Sequence, residues 1–443
     1  MPAYLQQVVN RPGREEVGGG DAGGGTGGCE ENDVVGIYDA EGNGVGMDVL
    51  MVQIFEFLNA AAVVPHSSVR ALLSQGMAQI FKACVVVVQM TQEQMEQWCS
   101  GKSVGDSQGE NDDVMGSLDL GDLNARNVAA VLVYELMESF PSGEALAAAS
   151  SAFAYGSQMA NSARERKENT WWKALESALL VVGIVSHNVE ESSSHGASAS
   201  TLFNTGQVVQ TALDLLRAPQ HVPPVLWSRS VWALGRYSWA LTTEQGIEVY
   251  QIAASTLNNN TNNSATTMTQ HHHSLPVRMA SCRALIELLP HLSDRQDRSS
   301  LLLSAVQGTC TLLSQVSAES SVEALPVVVT ALAQFIDHAG TEIAAHVEPH
   351  LTPVLVAVWS QHASNPYLCA TIVDVFQAIA SNQSALPGLQ SRLLPTLVSL
   401  IQCHTQHLPG VVEYALDLLA VISRTASTTA STTASTTTTT ATT

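Results

Sequence analysis

Histidine, cysteine and carboxylate side chains are the ones most able to hold a metal or move a proton, and this chain of 443 residues has 14 His, 7 Cys and 40 Asp or Glu. Their spacing brings few of them together. His271, His272 and His273 fall in an Asn/Thr tract with no Cys or carboxylate at ligand spacing, so no tetrahedral site is expected there. His346 and His350 stand four apart, as in the H-E-x-x-H metalloprotease motif, but the segment reads H-V-E-P-H. Its glutamate is misplaced, and Pro349 is expected to end the helix. Cys29, Cys84, Cys99, Cys282, Cys310, Cys369 and Cys403 are odd in number and never form a C-x-x-C pair. That predicts reduced, mostly packed thiols, with neither a disulfide framework nor a zinc site. No P-loop, G-x-S-x-G or dinucleotide fingerprint appears, and the glycine run at 18–28 leads into no patterned strand or helix. The expectation is a protein that is not an enzyme and that uses no metal or cofactor.

Charge and aromatic residues offer recognition instead of reaction. The net charge is −21 and the pI about 4.9, which opposes nucleic acid and anionic membrane surfaces and favours a basic partner. The acidity is regional, with 26 acids against 10 bases in residues 1–200. Its densest stretch, 93–122, sets Glu93, Glu96, Asp106, Glu110, Asp112, Asp113, Asp119 and Asp122 against Lys102 alone. Punctuated by glycines, it reads as a mobile acidic loop and not a helix. Glu110, Asp112, Asp113, Asp119 and Asp122 are the candidate cargo-binding residues, the alternative being a solvated linker without a partner. Trp171 and Trp172 form one aromatic cluster; Trp227, Trp232 and Trp239, with Arg229 and Arg236, form another. Indoles at helical spacing fill the space between helices, or else Trp171, Trp172, Trp227 and Trp232 supply concave-face contacts to a partner.

The elements that must position these residues are helical. After Trp171, residues Leu175, Ala178, Leu179 and Val182 follow at the spacing of one helix face, and Val412, Ala415, Leu416, Leu419 and Ile422 do the same. Val85 to Val88 is β-branched, but Met77, Ile80, Phe81 and Cys84 lead into it at helical spacing, so helix is expected there too. Strand signals are nearly absent. Helices beginning after a turn recur with anchors at Arg70, Arg126, Lys173, Arg229, Arg278, Glu323, Tyr367 and Val411, at intervals of 56, 47, 56, 49, 45, 44 and 44 residues. HEAT and armadillo units run to about 40–47 residues and tetratricopeptide units to about 34, so the first class matches better. The predicted fold is all-α, an α-solenoid of stacked HEAT-type repeats forming a curved superhelix. Its expected organisation is a partly disordered Gly-rich lead-in at 1–45, a solenoid over 46–425 and a disordered Thr/Ser/Ala tail at 426–443. The solenoid carries the acidic loop at 93–122 and disordered insertions at 190–200 and 258–273. No apolar run of 18 residues and no signal-peptide pattern occurs, which points to a soluble, intracellular chain.

Several ordered stretches carry a resemblance: G-M-D-V-L-M-V-Q-I-F-E-F-L from Gly46, M-T-Q-E-Q-M-E-Q-W from Met90, N-T-W-W-K-A-L-E-S-A-L-L-V-V-G from Asn169, L-W-S-R-S-V-W-A-L-G-R-Y-S from Leu226 and R-L-L-P-T-L-V-S-L-I-Q from Arg392. In this order they resemble the importin-β superfamily of nuclear transport receptors, the karyopherins, and within it the importin-9 branch. The resemblance implies a shuttling carrier between cytoplasm and nucleus. Its cargo would be basic proteins such as histones or ribosomal proteins, its pathway would run past nuclear pore proteins, and GTP-bound Ran would release the cargo. The matching stretches correspond to the central part of a longer receptor, whose main Ran-binding repeats lie nearer its amino terminus, so the Ran contact is expected of the full-length form. The family's near-continuous acidic run is here broken into G-E-N-D-D and D-L-G-D-L. The alternative function is a HEAT-repeat scaffold of a multiprotein complex without transport activity.

Overall fold

The computed structural model describes residues 37–38, 44–45, 47–99, 124–140, 143–194, 202–258, 274–293, 295–318, 324–339, 341–362, 365–403, 405 and 410–423. They fall into two compact units that divide between Val208 and Val209. Both are all-α, as the periodicity predicts, apart from one two-residue antiparallel ladder in which Ile37 pairs with Val45 and Tyr38 with Gly44.

The first unit contains α1 (Met47–Val63), α2 (Ser67–Val87), α3 (Gln92–Cys99), α4 (Ala125–Ser139), α5 (Gly143–Glu165), α6 (Trp171–Ile184) and α7 (Ser186–Ser194). Helix α1 packs on α4, α2 chiefly on α5, and α5 on α6. The β-branched Val85 and Val86 are helical, because burying them in the inter-helix core outweighs their weak dislike of helix. Helix α6 is buried on all sides from Trp172 to Ile184, more than the single face its apolar spacing predicts. Close approach of α5 and α6 depends on Gly156, where a Cβ would lie 2.6 Å from Ala178 Cβ and 2.9 Å from the Ala174 carbonyl oxygen. Helix α5 ends in a Schellman turn: Lys167 takes φ 59°, its N–H donates to the Arg164 carbonyl, and Glu168 N–H donates to the Ala163 carbonyl.

The second unit contains most of α8 (Thr205–Arg217), then α9 (Pro224–Arg236), α10 (Thr243–Leu257), α11 (Leu275–Glu287), α12 (Arg298–Ala318), α13 (Ala324–Ala339), α14 (Thr341–Gln361), α15 (Pro366–Ala380), α16 (Leu386–Gln402) and a last helix, α17, over 410–423. Helices α9, α11, α13 and α15 stack in one layer, and α10, α12, α14 and α16 stack in the other. Each element therefore meets its counterpart one repeat along, the defining contact of an all-α solenoid. Sequence punctuation sets the starts. Thr242 and Gln245 form a reciprocal capping box at α10, and Asn365 caps α15 just before Pro366. Among the described residues, α12 alone is long and apolar enough to cross a membrane by length and composition, and it packs in the layer between α10 and α14.

Several expectations need correction. Arg70 lies on α2, which stacks mainly on α5, whereas Arg126 lies on α4, which stacks on α1; the first repeat anchor is out of register with the next. Glu93 to Cys99 and Glu190 to Ser194 are helical, as parts of α3 and α7, although both were expected in loops. A reciprocal Thr91–Gln94 capping pair starts α3, and buried Trp98 holds it to the core. Pro349 does not end its helix: α14 runs through both Pro349 and Pro353. An interior proline costs about 3 kcal/mol. Here the flanking Val347, Leu351 and Leu355 are buried, and their packing offsets that cost. On α17 the buried set is Val411, Ala415, Leu418, Val421 and Ile422, so the predicted face is rotated and Leu416 is 50% exposed. The tail, the histidine tract and Glu323 lie outside the described residues.

Candidate partner-binding surfaces

Of the acidic stretch, the described part is α3, where exposed Glu96 accepts a hydrogen bond from Gln92 Nε2 at 2.9 Å. Glu110, Asp112, Asp113, Asp119 and Asp122 lie outside the described residues. Three of the four tryptophans expected as surface contacts are core. Trp227 is 0% exposed, and Trp172 and Trp232 are each 5% exposed, so none can present an indole to a partner without the helices separating. Arg229, itself buried, stacks its guanidinium 4.6 Å from the Trp232 ring centroid. This corrects the concave-face assignment of Trp172, Trp227 and Trp232: large rings at helical spacing filled the inter-helix space.

Trp171 differs. It opens α6, is half-buried, and carries the Arg164 guanidinium 3.9 Å over its ring. Beside it lies a cavity of about 590 Å³ between the end of α2, the second half of α5 and the start of α6. Tyr155, Gln158 and Met159 line it from α5, Arg166 and Glu168 from the turn, and Gln89 from the segment after α2. Arg166 Nε donates to Glu168 Oε1 at 2.5 Å, an exposed pair of little energetic weight. No element of the sequence pattern signalled this cavity. Its lining comes from three separate segments, and the Schellman turn at Lys167 puts Arg166 and Glu168 in the same lining as Gln89.

The anchor residues Arg126 and Arg278 serve the fold. Arg126 makes a two-pronged contact with Glu176, at 2.7 and 3.2 Å, and also donates to the Val88 carbonyl. Arg278 joins α11 to Gln315 on α12 and to the Leu257 carbonyl on α10. A third tie runs from Arg392 to buried Glu348, whose other oxygen accepts from Thr352. Glu348, misplaced for a metalloprotease, is thus a structural carboxylate between α14 and α16. His346 and His350 beside it are exposed, and no group of three or more His, Cys, Asp or Glu side chains gathers among the described residues. Burial pushes the Cys282 and Cys310 thiols up to about 12, and it raises those of Cys84 and Cys369 too. They remain protonated and weakly nucleophilic at neutral pH.

No family model matches the chain. Among curated proteins, similarity extends over most of this chain. The chain is similar to Importin-9 of Drosophila melanogaster. The two are 23% identical over 381 residues, covering 85% of this chain. The chain spans about a third, 34%, of that relative's length. At 381 residues the likeness extends into both units.

Proposed function

We propose that this chain acts as part of a nuclear import receptor of the importin-9 type, a non-enzymatic carrier of basic proteins such as histones or ribosomal proteins. Similarity to Importin-9 along 85% of the chain is the observation that carries the reading. Stacked helical repeats support it, since they give an extended surface with no need of a closed active site. The charge supports it as well: −21 overall, with the stretch 93–122 holding eight acids against one lysine. In this reading the acidic stretch attracts Lys/Arg-rich cargo, nuclear pore proteins guide the loaded receptor, and GTP-bound Ran releases the cargo in the nucleus.

Titrating the chain with purified core histones at rising ionic strength tests the charge-matched contact. Affinity is expected to fall by about tenfold or more as the screening length contracts from about 30 Å to 8 Å. Replacing Glu110, Asp112 and Asp113 together by Ala should lower affinity at low salt and flatten that dependence. Binding indifferent to both manipulations would remove the acidic stretch from the mechanism. Release by GTP-loaded Ran, measured on the full-length receptor, separates transport from the scaffold alternative.

A further inference from the structure

Helix α1 is apolar on two sides. Met51, Val52, Phe55 and Ala62 are buried, and the helix packs on α4. A second row, Leu50, Ile54, Phe57, Ala61 and Val64, follows at intervals of 4, 3, 4 and 3 residues, the spacing of a coiled-coil seam. This row faces solvent: Phe57 is 71% exposed, and Leu50, Ile54 and Val64 are 40%, 42% and 41% exposed. It belongs to a larger concentration of apolar surface. Of the ten large apolar side chains exposed among the described residues, seven lie between Val49 and Leu72, on α1 and the start of α2. At those exposures the seven hold on the order of 700 Å² of accessible surface, close to the roughly 800 Å² that each partner gives to a stable specific interface. The seam by itself holds about 400 Å², so the area matches a weak, reversible pair better than an obligate one.

The residues beside the seam decide what covers it. Met51 and Leu58 flank it on one side and Gln53 and Ala60 on the other, positions where coiled coils usually carry the charges that choose a partner. None of the four is charged, so a basic or acidic helix would find no counter-charge there. The seam does complement itself. In an antiparallel pair related by a two-fold axis, Ile54 of one copy lies against Phe57 of the other and Leu50 lies against Ala61, large on small. We infer that α1 is a self-association face, on which the chain pairs with a second copy of itself through Leu50, Ile54, Phe57 and Ala61. At −21 each, two copies repel at a distance, and an uncharged seam is where they can approach. Salt therefore strengthens this contact. The inference does not rest on the transport reading.

Sedimentation velocity of the intact chain over about 1–200 μM tests the assignment. A reversible monomer–dimer equilibrium is expected, tightening as salt rises from about 0.05 to 0.5 M, the opposite sign from charge-matched cargo binding. Ile54→Asp and Phe57→Lys should each weaken the dimer by about tenfold or more, because each sets a charge against an apolar side chain. Both side chains face solvent in the monomer, so its thermal midpoint should stay at the wild-type value. Mixing the two variants should restore the pair: the introduced lysine of one copy meets the introduced aspartate of the other, and the native Ile54–Phe57 contact forms across the axis. A dimer untouched by either variant, or a mixture no tighter than the variants alone, would overturn the proposal. A monomer at every concentration would also overturn it and leave the face to a different helix, from this chain or from a partner.

Discussion

Glu176 has a fully buried carboxylate, and Arg126 neutralises it from α4 with two hydrogen bonds while remaining only 12% exposed itself. Removing one member strands a charge in the core, which costs about 3–5 kcal/mol; replacing both by apolar residues of similar volume is often neutral. Urea denaturation of Arg126→Ala should therefore show a loss of that order, and Arg126→Met with Glu176→Leu should recover most of it. Lys173, 3% exposed on α6, differs in having no ion pair or side-chain hydrogen bond among the described residues, and burial lowers its pKa from the usual lysine value. With the folded value below the unfolded one, the unfolded chain binds more protons between the two, so this group makes stability rise with pH across that window. Below the folded value the ammonium is charged in both states and its burial penalty is constant. Lys173→Met should raise the urea midpoint at neutral pH and abolish this alkaline gain; an unchanged pH profile would show that the ammonium reaches solvent. At this scale the sequence was partly legible. Arg278, a repeat anchor in the sequence, ties its helix to both neighbours, while the Arg126–Glu176 pair spans 50 residues with no local signal.

Helix ends and helix contacts follow local chemistry more closely than composition. Thr242–Gln245 and Asn365–Pro366 mark their helices openly, yet Thr91–Gln94 starts α3 inside a stretch that its glycines and acids had marked as loop. Ser-rich Ser186–Ser194 is likewise helical, with Ser193 and Ser194 bonding back to carbonyls four residues earlier and Val189 buried. Composition describes what a segment lacks for independent folding, and a single buried anchor such as Trp98 or Val189 can supply it. Lys167 occupies the left-handed position that usually holds glycine. A side chain there costs about 1–2 kcal/mol, partly balanced by the greater unfolded entropy of glycine. Lys167→Gly should raise stability by about 0.5–1 kcal/mol in thermal melts, and Lys167→Ala should not. At Gly156 the balance runs the other way. Alanine gains about 1 kcal/mol of helix propensity, but its methyl meets the Ala174 backbone oxygen, which cannot move aside. Gly156→Ala is expected to destabilise by about 1–3 kcal/mol overall in urea denaturation.

Across the molecule, fold class was the most legible property, because the anchors of the second unit recur every 44 to 49 residues on a helical period. The sites were the least legible. Tryptophans that looked available from spacing are mostly core, and of the four proposed as partner contacts Trp171 alone is half-buried, beside a cavity whose lining residues Gln89 and Arg166 lie far off in the sequence or across a turn. Stacked repeats also predict local failure instead of global collapse. Leu389 on α16 is fully buried, and Leu389→Ala should cost about 2–5 kcal/mol. Hydrogen exchange should then speed up in α14–α16 and stay at wild-type rates in α2 and α5 of the first unit. Uniform acceleration in both units would instead mean that the chain folds as one cooperative block.

Pro349 and Pro353 have a mechanical consequence for α14. Neither nitrogen carries a hydrogen, so the carbonyls of Ala345 and Pro349 lack their usual donors four residues on. Ala345, Pro349 and Pro353 are spaced four apart along the less buried side of the helix, opposite Leu351 and Leu355. The missing links thus form a seam along one edge of the cylinder while the other edge stays fully bonded. A rod weakened along one edge has one soft direction of flexure. Bending away from the packed side opens a seam already without bonds, and bending toward it compresses an intact ladder. Tension or torque reaching α14 would therefore be taken up as curvature in a single plane.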